Sequence, residues 1–496
     1  MENTNNNEII EQISEAEQER IRREKLESLQ SAGSDPFAVT TFDKTHKSND
    51  VIENFEKMEG QTVSVAGRIV ARRVMGKAAF AHILDEHGRV QVYISINDVG
   101  EEAFGEFTKT DLGDIIGVAG TVFKTKVGEV SVKGSSYVLL SKALRPLPDK
   151  HSGLKDPEAR YRERHLDLIA NPEVRDIFKT RSNVISAVRA YLDNLDFMEV
   201  ETPILQNIPG GAEARPFITH HNTMNMKMYM RIAPELYLKR LIVGGFERVY
   251  EIGRVFRNEG ISYKHNPEFT MMELYQAYTD WSGMADLTEN IVKFVFEKCK
   301  KPKQFEYDGM QIDVGKPWER ISMIGAVKRA TGLDFSKLNE TQAISEMTKL
   351  QLEIPKNKTW GELLYAAFEQ RVEETLVNPT FIIDYPIEIS PLAKKLPNDP
   401  RLTGRFELFI AGREMANAYS ELNDPIDQRS RFDAQMAERE KGNDEAHQTD
   451  EDFLQAMASG MPPTGGLGIG IDRLVMLVSG THSIRETLLF PTMRAR

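Results

Sequence analysis

The stretch 246–278 constrains this chain more than any other. Two runs rich in β-branched and aromatic residues, 248–257 and 268–278, flank a charged segment that holds Gly260, Asn266 and Pro267. That order predicts two strands joined by a loop. Strand side chains alternate between faces, so Arg257 and Glu259 share one side of the first run. Phe269, Met271, Glu273 and Tyr275 share a side of the second. One hairpin surface then carries a guanidinium, carboxylates, a flat ring and a phenol. A guanidinium fork suits phosphate, an aromatic face suits a base, and carboxylates suit an amine. The competing reading is a solvated hairpin with scattered charges, and the rest of the chain decides between them.

At 496 residues the chain exceeds one ordinary domain, so two or three are expected. Hydrophobic residues at 40% and charged residues at 28% fit a globular protein. No apolar run approaches the roughly 20 residues that span a bilayer, and the polar, acidic start lacks the order of a secretory signal. Cytoplasmic residence with no membrane partner is the expectation. The single cysteine, Cys299, excludes an intrachain disulfide and a cysteine-based zinc site. A net charge of −12 argues against non-specific coating of nucleic acid. A local basic patch stays open, because screening confines charge interactions to about 10 Å at 0.1 M salt.

Residues 8–31 form a charged segment with Ile9, Ile10, Ile13, Ile21 and Leu26 at helical spacing. It is either a solvated helix or one whose Arg20, Arg22, Arg23 and Lys25 touch a phosphate backbone. From 61 to 145 about five short alternating strands with Gly and Asp turns predict a small β-barrel of the OB type. Arg68, Arg72, Arg73 and Lys77 cluster near Phe80, His82 and Gln91. Basic residues beside an exposed ring suit single-stranded nucleic acid, while a lone Phe80 is as readily core. The expected division is a helical extension over 1–59, the barrel over 60–146, a linker over 147–160 and a second domain over 161–496. In that domain Val184, Ile185, Val188 and Leu192 mark an amphipathic helix leading to a strand before Pro203. The stretches of about 300–400 and 424–460 are expected to be helical excursions.

Two later stretches share the texture of the hairpin. Residues 405–421 read as strand, Ala-Gly turn and strand, with Asn417, Tyr419 and Glu421 at period two. Glu407 and Glu414 flank the turn and could meet as a carboxylate pair of the kind Mg²⁺ takes together with phosphates. Simple alternation leaves Glu414 off the face of Asn417, so a bulge or turn has to correct it. In 465–473, Gly466, Gly468 and Gly470 leave one strand face bare for a flat ligand, and Arg473 follows at the start of an apolar helix. The glycines lack the spacing of a dinucleotide fingerprint, and no GxxxxGK[ST] loop occurs.

On these residues the chain resembles the class II aminoacyl-tRNA synthetases, most closely the bacterial-type lysyl enzymes of subclass IIb. FMEVETPIL, with Pro203, resembles motif 1; FRNEGISYKHNPEFTMMELY resembles motif 2; GLGIGIDRLVML resembles motif 3. RIAPELYLKR and GREMANAYSELND narrow the likeness to the lysine enzymes, and it covers nearly the whole chain. His165 departs from the family, which more often has tyrosine there. The resemblance implies an α+β multidomain chain: an N-terminal OB barrel followed by an antiparallel sheet flanked by helices. It also implies ATP-dependent formation of lysyl-adenylate, lysyl transfer to tRNA(Lys), a homodimer and about three Mg²⁺ ions per site.

Carried over by position, Arg257 and Arg473 would be catalytic, Arg257 on the α-phosphate and amino-acid carboxylate, Arg473 toward the γ-phosphate. Phe269 would stack on adenine; Glu259, His265 and Asn266 would contact the nucleotide; Glu407 and Glu414 would hold Mg²⁺. Gly211 and Glu235 would receive the lysine α-amine, and Glu273, Tyr275 and Glu421 the ε-ammonium, with Asn417 orienting the carboxylate and Tyr419 also binding lysine. Arg72, Phe80 and Gln91 would bind the anticodon. An aspartate or asparagine enzyme of the same subclass is the first rival, but an aspartate pocket needs cations where this chain has Glu235, Glu273 and Glu421. A ligase that lysylates protein would lack the barrel. A non-catalytic nucleic-acid module would not need Arg257, Glu407, Glu414 and Arg473.

Overall fold

The computed structural model describes residues 14–148, 154–443, 445–446 and 448–495. The chain divides into two compact units, parted between Lys155 and Asp156.

The first unit opens with helix α1, Glu15–Ser31, capped by the Ser14 hydroxyl. Ile9, Ile10 and Ile13 lie outside the described residues. Arg20 pairs with Glu17 and Glu24, and Arg23 with Glu19. Arg22 is buried and donates to the carbonyls of Ala143 and Arg145, while Lys25 pairs with Asp111. These cations are spent within the unit, on the helix itself and on fastening it to the barrel.

Five strands close that barrel in the order β1-β2-β3-β5-β4: Thr62–Met75, Ala78–Leu84, Arg89–Ser95, Ile115–Lys124 and Val130–Ser141, numbered β1 to β5. Alternation sends Val63, Val65, Ala79, Ala81, Ile83 and Val92 into its core. A bulge in β1 leaves Val70 without a partner between Ile69, opposite Ile83, and Ala71, opposite His82. Helix Pro157–Arg162, capped by Asp156 with proline in its first turn, begins inside the stretch expected to be linker.

The second unit is organised on an eight-stranded sheet. Helix α2 is Val174–Asp193 and strand β6 Met198–Glu199; helix α3, Glu235–Val243, leads into β7, Arg248–Phe256, and β8, Glu268–Ala277. Helix α4 is Trp281–Lys298. Strands β9, Glu319–Ser322, and β10, Thr380–Pro386, follow, then β11, Leu402–Ile410, and β12, Arg413–Ser420. Strand β13, Thr464–Gly470, runs into helix α5, Ile471–Ser479. The spatial order is β9-β10-β11-β12-β13-β8-β7-β6. Six central strands pair antiparallel, and the outermost strand at each edge runs parallel to its neighbour. The stretch 300–400 is therefore not purely helical: β9 and β10 extend the sheet, and Gln304–Tyr307 pairs with Met310–Asp313.

Alternation divides the sheet cleanly. Met272, Leu274, Leu408, Ala416, Leu467 and Ile469 face a core shared with α2, α4 and α5, where Val184, Val188 and Leu192 are fully buried. The opposite face carries the side chains singled out in the sequence. Helices Met323–Thr331 and Trp360–Arg371 cover part of it around Phe409 and Tyr385. Within 424–460 the helices Pro425–Glu440 and Glu451–Ala458 are anchored by Phe432 and Phe453, which pack with Leu236 of α3. Among the described residues no helix is long and apolar enough to cross a membrane.

Candidate active site

A cavity of about 390 Å³ opens on that second face. Its lining joins the stretches singled out in the sequence: Glu259, His265, Asn266, Phe269, Glu273 and Tyr275 from the opening hairpin, Glu407, Glu414, Asn417 and Tyr419 from the second, and Arg473. Gly211, Glu235, Arg257 and Arg405 also line it.

The floor follows from register. Gly466 on β13 sits between Tyr275 of β8 and Tyr419 of β12, and Gly468 between Glu273 and Asn417. A Cβ on Gly466 would collide with Glu421 Oε1 and come within 2.6 Å of the Tyr275 ring. At Gly466 the bare position is thus a necessity of packing, because the space a side chain would take is filled by the Glu421 carboxylate and the Tyr275 ring. Gly211 reaches the cavity with φ +87, and a Cβ there would lie 2.8 Å from that of Glu235.

The unsettled position of Glu414 is resolved by a bulge. Strand β12 passes from Ala416, opposite Leu408, to Glu414, opposite Phe409, leaving Met415 extra. Since Asn417 opposes Glu407, the slip brings Glu407, Asn417 and Glu414 onto one face. The turn between the strands is Ala411-Gly412, both with positive φ, as a tight hairpin requires.

Several polar groups here are buried and, among the described residues, unmatched. Arg257 Nε is buried with no hydrogen-bond partner, and its guanidinium lies 5.2 Å from the Phe269 ring. Burial pulls Arg257 below the usual arginine range, against the nearby carboxylates. Glu273 takes a 3.3 Å bond from the Tyr275 hydroxyl, and burial, with Glu235 adding, pushes its carboxyl up to about 8. Glu421 lies one layer behind the cavity lining. One of its oxygens pairs with Lys239, the other is buried without a partner, and burial raises its pKa. Lys239 Nζ also contacts Glu235 Oε1 at 2.6 Å.

The other end of the cavity is better satisfied. Arg473 donates to the Glu414 carbonyl at 2.6 Å and to its carboxylate at 3.1 Å. Asp472 accepts the Thr270 amide at 2.6 Å and pairs with Arg181, which fixes the start of α5 on β8. Asn266 donates to the Glu268 carbonyl at 2.6 Å, and His265 Nδ1 meets the Ser262 hydroxyl at 3.0 Å. Burial, with Arg473 adding, lowers His265. Glu407 accepts from Arg405 at 2.6 Å and from the Tyr385 hydroxyl at 2.9 Å. Burial raises Glu407 and Glu414 adds to that, while Arg405 opposes both.

Sequence reasoning missed Arg405 and Lys239. Arg405 also bonds Asn417 Oδ1 at 3.2 Å, so it holds two site residues at once. The signals were present: a lone arginine two residues before Glu407 in an apolar strand, and a lysine one helical turn after Glu235.

In the barrel the expected trio does not share a face. The bulge at Val70 reverses the alternation, so Arg72 stands opposite Ala81 on the core side and Arg73 opposite the outward Phe80. Arg72 donates to the carbonyls of Phe107, Thr108 and Thr110, which occupies its guanidinium within the barrel. Arg73 is exposed. Phe80 lies 5.0 Å from Tyr93, and Tyr93 6.1 Å from Phe123, forming an outward aromatic ladder. Gln91 shares that side; it donates to Glu129 at 2.7 Å and accepts from Ser131 at 2.8 Å.

The model of the tRNA synthetases class II (D, K and N) matches residues 156–494, and that of the OB-fold nucleic acid binding domain matches 63–140. The chain belongs to the class II tRNA synthetases of the D, K and N group. It is 55% identical over 480 residues to the lysine–tRNA ligase of Pelotomaculum thermopropionicum, covering 96% of this chain and 95% of that one. It is 55% identical over 478 residues to that of Carboxydothermus hydrogenoformans, covering 96% and 98%, and 55% over 488 residues to that of Bacillus subtilis, covering 97% and 98%.

Proposed function

We propose that this chain activates L-lysine with ATP to lysyl-adenylate and passes the lysyl group to the 3′ end of tRNA(Lys). The observation that carries the lysine reading is the Glu421 oxygen, buried without a partner behind Gly466 and Tyr275. An unmatched buried acceptor costs on the order of 1–3 kcal/mol, and a substrate ammonium removes that cost. Glu273 and Tyr275 would join Glu421 around the ε-ammonium, while Glu235 and the Gly211 backbone would take the α-amine. Tyr419 and Asn417 line the same side. An aspartate side chain would meet carboxylates here, and a neutral one would leave them unpaired.

The first step needs no general base, because the attacking carboxylate is already ionised. An oxygen of that carboxylate bonds to the α-phosphorus, and the bond to the pyrophosphate oxygen breaks. The task left to the protein is alignment and neutralisation of repelling anions. Arg257, half-buried and with a buried, unmatched Nε, would bridge carboxylate and α-phosphate. Arg473 would meet the γ-phosphate and Phe269 the adenine face, with Glu259, His265 and Asn266 around the nucleotide. In the second step the terminal ribose hydroxyl of tRNA attacks the acyl carbon and AMP leaves.

Glu407 and Glu414 would hold Mg²⁺, which supplies charge neutralisation on the phosphates when bound. Their shared face, and the charge of Glu414 bearing on buried Glu407, fit a divalent cation. Among the described residues no cluster of three or more His, Cys, Asp or Glu forms a cage by itself. The fit is therefore to an ion that takes its remaining ligands from phosphates and water.

In the barrel, Phe80 with Tyr93 would stack on anticodon bases and Arg73 would meet the backbone, in place of Arg72. Gln91 would exchange Glu129 for a base edge. Exposed Met198, Ile204, Leu205 and Ile218 support a homodimer through the motif 1 region. The cytoplasm is the compartment this reading implies. Lysine-dependent ATP–pyrophosphate exchange tests the proposal, and exchange driven by aspartate alone would overturn it.

A further inference from the structure

Lys239 has no part in the scheme above, yet it is the fully buried cation at the back of the amino-acid pocket. It lies one turn along α3 from Glu235, with Nζ 2.6 Å from Glu235 Oε1 and in contact with Glu421 Oε2. Glu235 is 4% exposed and Glu421 1%. The Phe453 ring, 6.0 Å from Nζ, closes the other side. Burial alone would pull the Lys239 ammonium down, but Glu235 and Glu421 hold it above the ordinary lysine value. It is therefore a charged ammonium that never reaches solvent.

Arg231 is matched by Glu251, and Arg405 by Glu407. Once Glu273 has given up its proton, the amino-acid end holds Glu235, Glu273 and Glu421 against Lys239 and Arg257, one negative charge more than positive. Free lysine, with two ammonium groups and one carboxylate, carries the single positive charge that cancels it. Without Lys239 the excess would double, and Glu235 and Glu421 would repel with nothing between them.

We infer that Lys239 is a positioning residue for substrate selection: a resident ammonium that ties Glu235 to Glu421 and so fixes the spacing between the carboxylates that receive the α- and ε-ammonium groups. The inference rests on the lysine reading of the pocket and adds to it a gauge of chain length. Two carboxylates held at one separation favour lysine over ornithine, which is one methylene shorter. Carboxylates free to move apart or together would accept both.

The test is ATP–pyrophosphate exchange by the full chain carrying Lys239→Met, with lysine and with ornithine. The lysine KM should rise about 30-fold while the ATP KM stays within about twofold, and the lysine-over-ornithine ratio of kcat/KM should fall by about tenfold or more. A uniform loss of kcat with that ratio intact would mean that Lys239 only staples α3 in place, and would overturn the inference. Should the methionine variant fail to fold, Lys239→Arg replaces the point charge with a wider planar fork. The ratio should then fall with charge retained, and an unchanged ratio would again overturn the inference. A wild-type chain that shows no lysine-dependent exchange would refute the lysine reading itself, and the gauge with it.

Discussion

The barrel and the sheet each carry a one-residue bulge beside their working residues, and the two bulges act on very different surroundings. In β1 the extra Val70 turns Arg72 inward and Arg73 outward beside Phe80. In β12 the extra Met415 brings Glu414 onto the face of Glu407 and Asn417. The barrel surface that results is satisfied: Gln91 is matched by Glu129 and Ser131, and Arg72 by loop carbonyls. The pocket that results is not, since Arg257 Nε and a Glu421 oxygen are buried without partners. A surface that binds by stacking can be complete when empty. A pocket that selects by charge holds groups only its ligand can match, so losses there should be larger and should strike an earlier step.

The largest effect is expected at Arg257. Arg257→Ala should lower kcat/KM for lysine-dependent exchange by about 10³-fold, as when a transition-state donor is removed. A loss under tenfold would mean that the pocket's unmatched cation is not where charge develops. Glu421→Gln comes next, raising the lysine KM about 10²-fold with the ATP KM little changed, because one ammonium contact becomes neutral. Equal changes in both constants would break the division between amino-acid and nucleotide sides.

The pH dependence should be intermediate. Glu273, raised to about 8 by burial, holds a proton at neutral pH in the free pocket and must release it to accept an ammonium. Lysine affinity should therefore increase as pH rises toward 8, by up to about tenfold per pH unit, with proton release seen in calorimetry in buffers of different ionisation heat. Affinity that is flat from pH 6 to 8 would exclude Glu273 as a contact of the ammonium.

The barrel effects should be smaller and confined to charging. Phe80→Ala should reduce aminoacylation about tenfold while leaving exchange intact, in line with about 1–3 kcal/mol per stacked base. Arg73→Ala should lower tRNA affinity a few-fold without loss of melting temperature. Arg72→Ala should do the reverse, since its guanidinium bonds the barrel. Matching results for the two arginines would contradict the β1 register.

How much of this was legible depended on whether alternation ran unbroken. Along β8 it did, and Phe269, Met271, Glu273 and Tyr275 could be assigned to one face from spacing alone. The glycines of β13 were legible for the same reason, although not the collision with Glu421 that requires Gly466. Where a bulge intervenes, parity is lost to the eye: nothing in Arg68–Arg73 marks Val70 as the extra residue, so Arg72 was grouped with Phe80. At Glu414 the conflict itself was visible and pointed to a bulge. Lys239 and Arg405 were overlooked because charged residues on helices and strands usually face solvent; only packing reveals that these two are enclosed with carboxylates. Strand β9 was hidden among helices because a four-residue edge segment carries few periodic positions, and β10 because burial of the consecutive Thr380, Phe381 and Ile382 erases the alternation.

The central claim is that buried carboxylates select lysine by its ε-ammonium, and it is most directly tested by comparing lysine with norleucine, which keeps the chain and lacks the charge. Calorimetric binding in the presence of a non-hydrolysable ATP analogue should give lysine an advantage of about 10³-fold or more, as expected when a built polar site is left unpaired. Norleucine binding within tenfold of lysine would contradict the account.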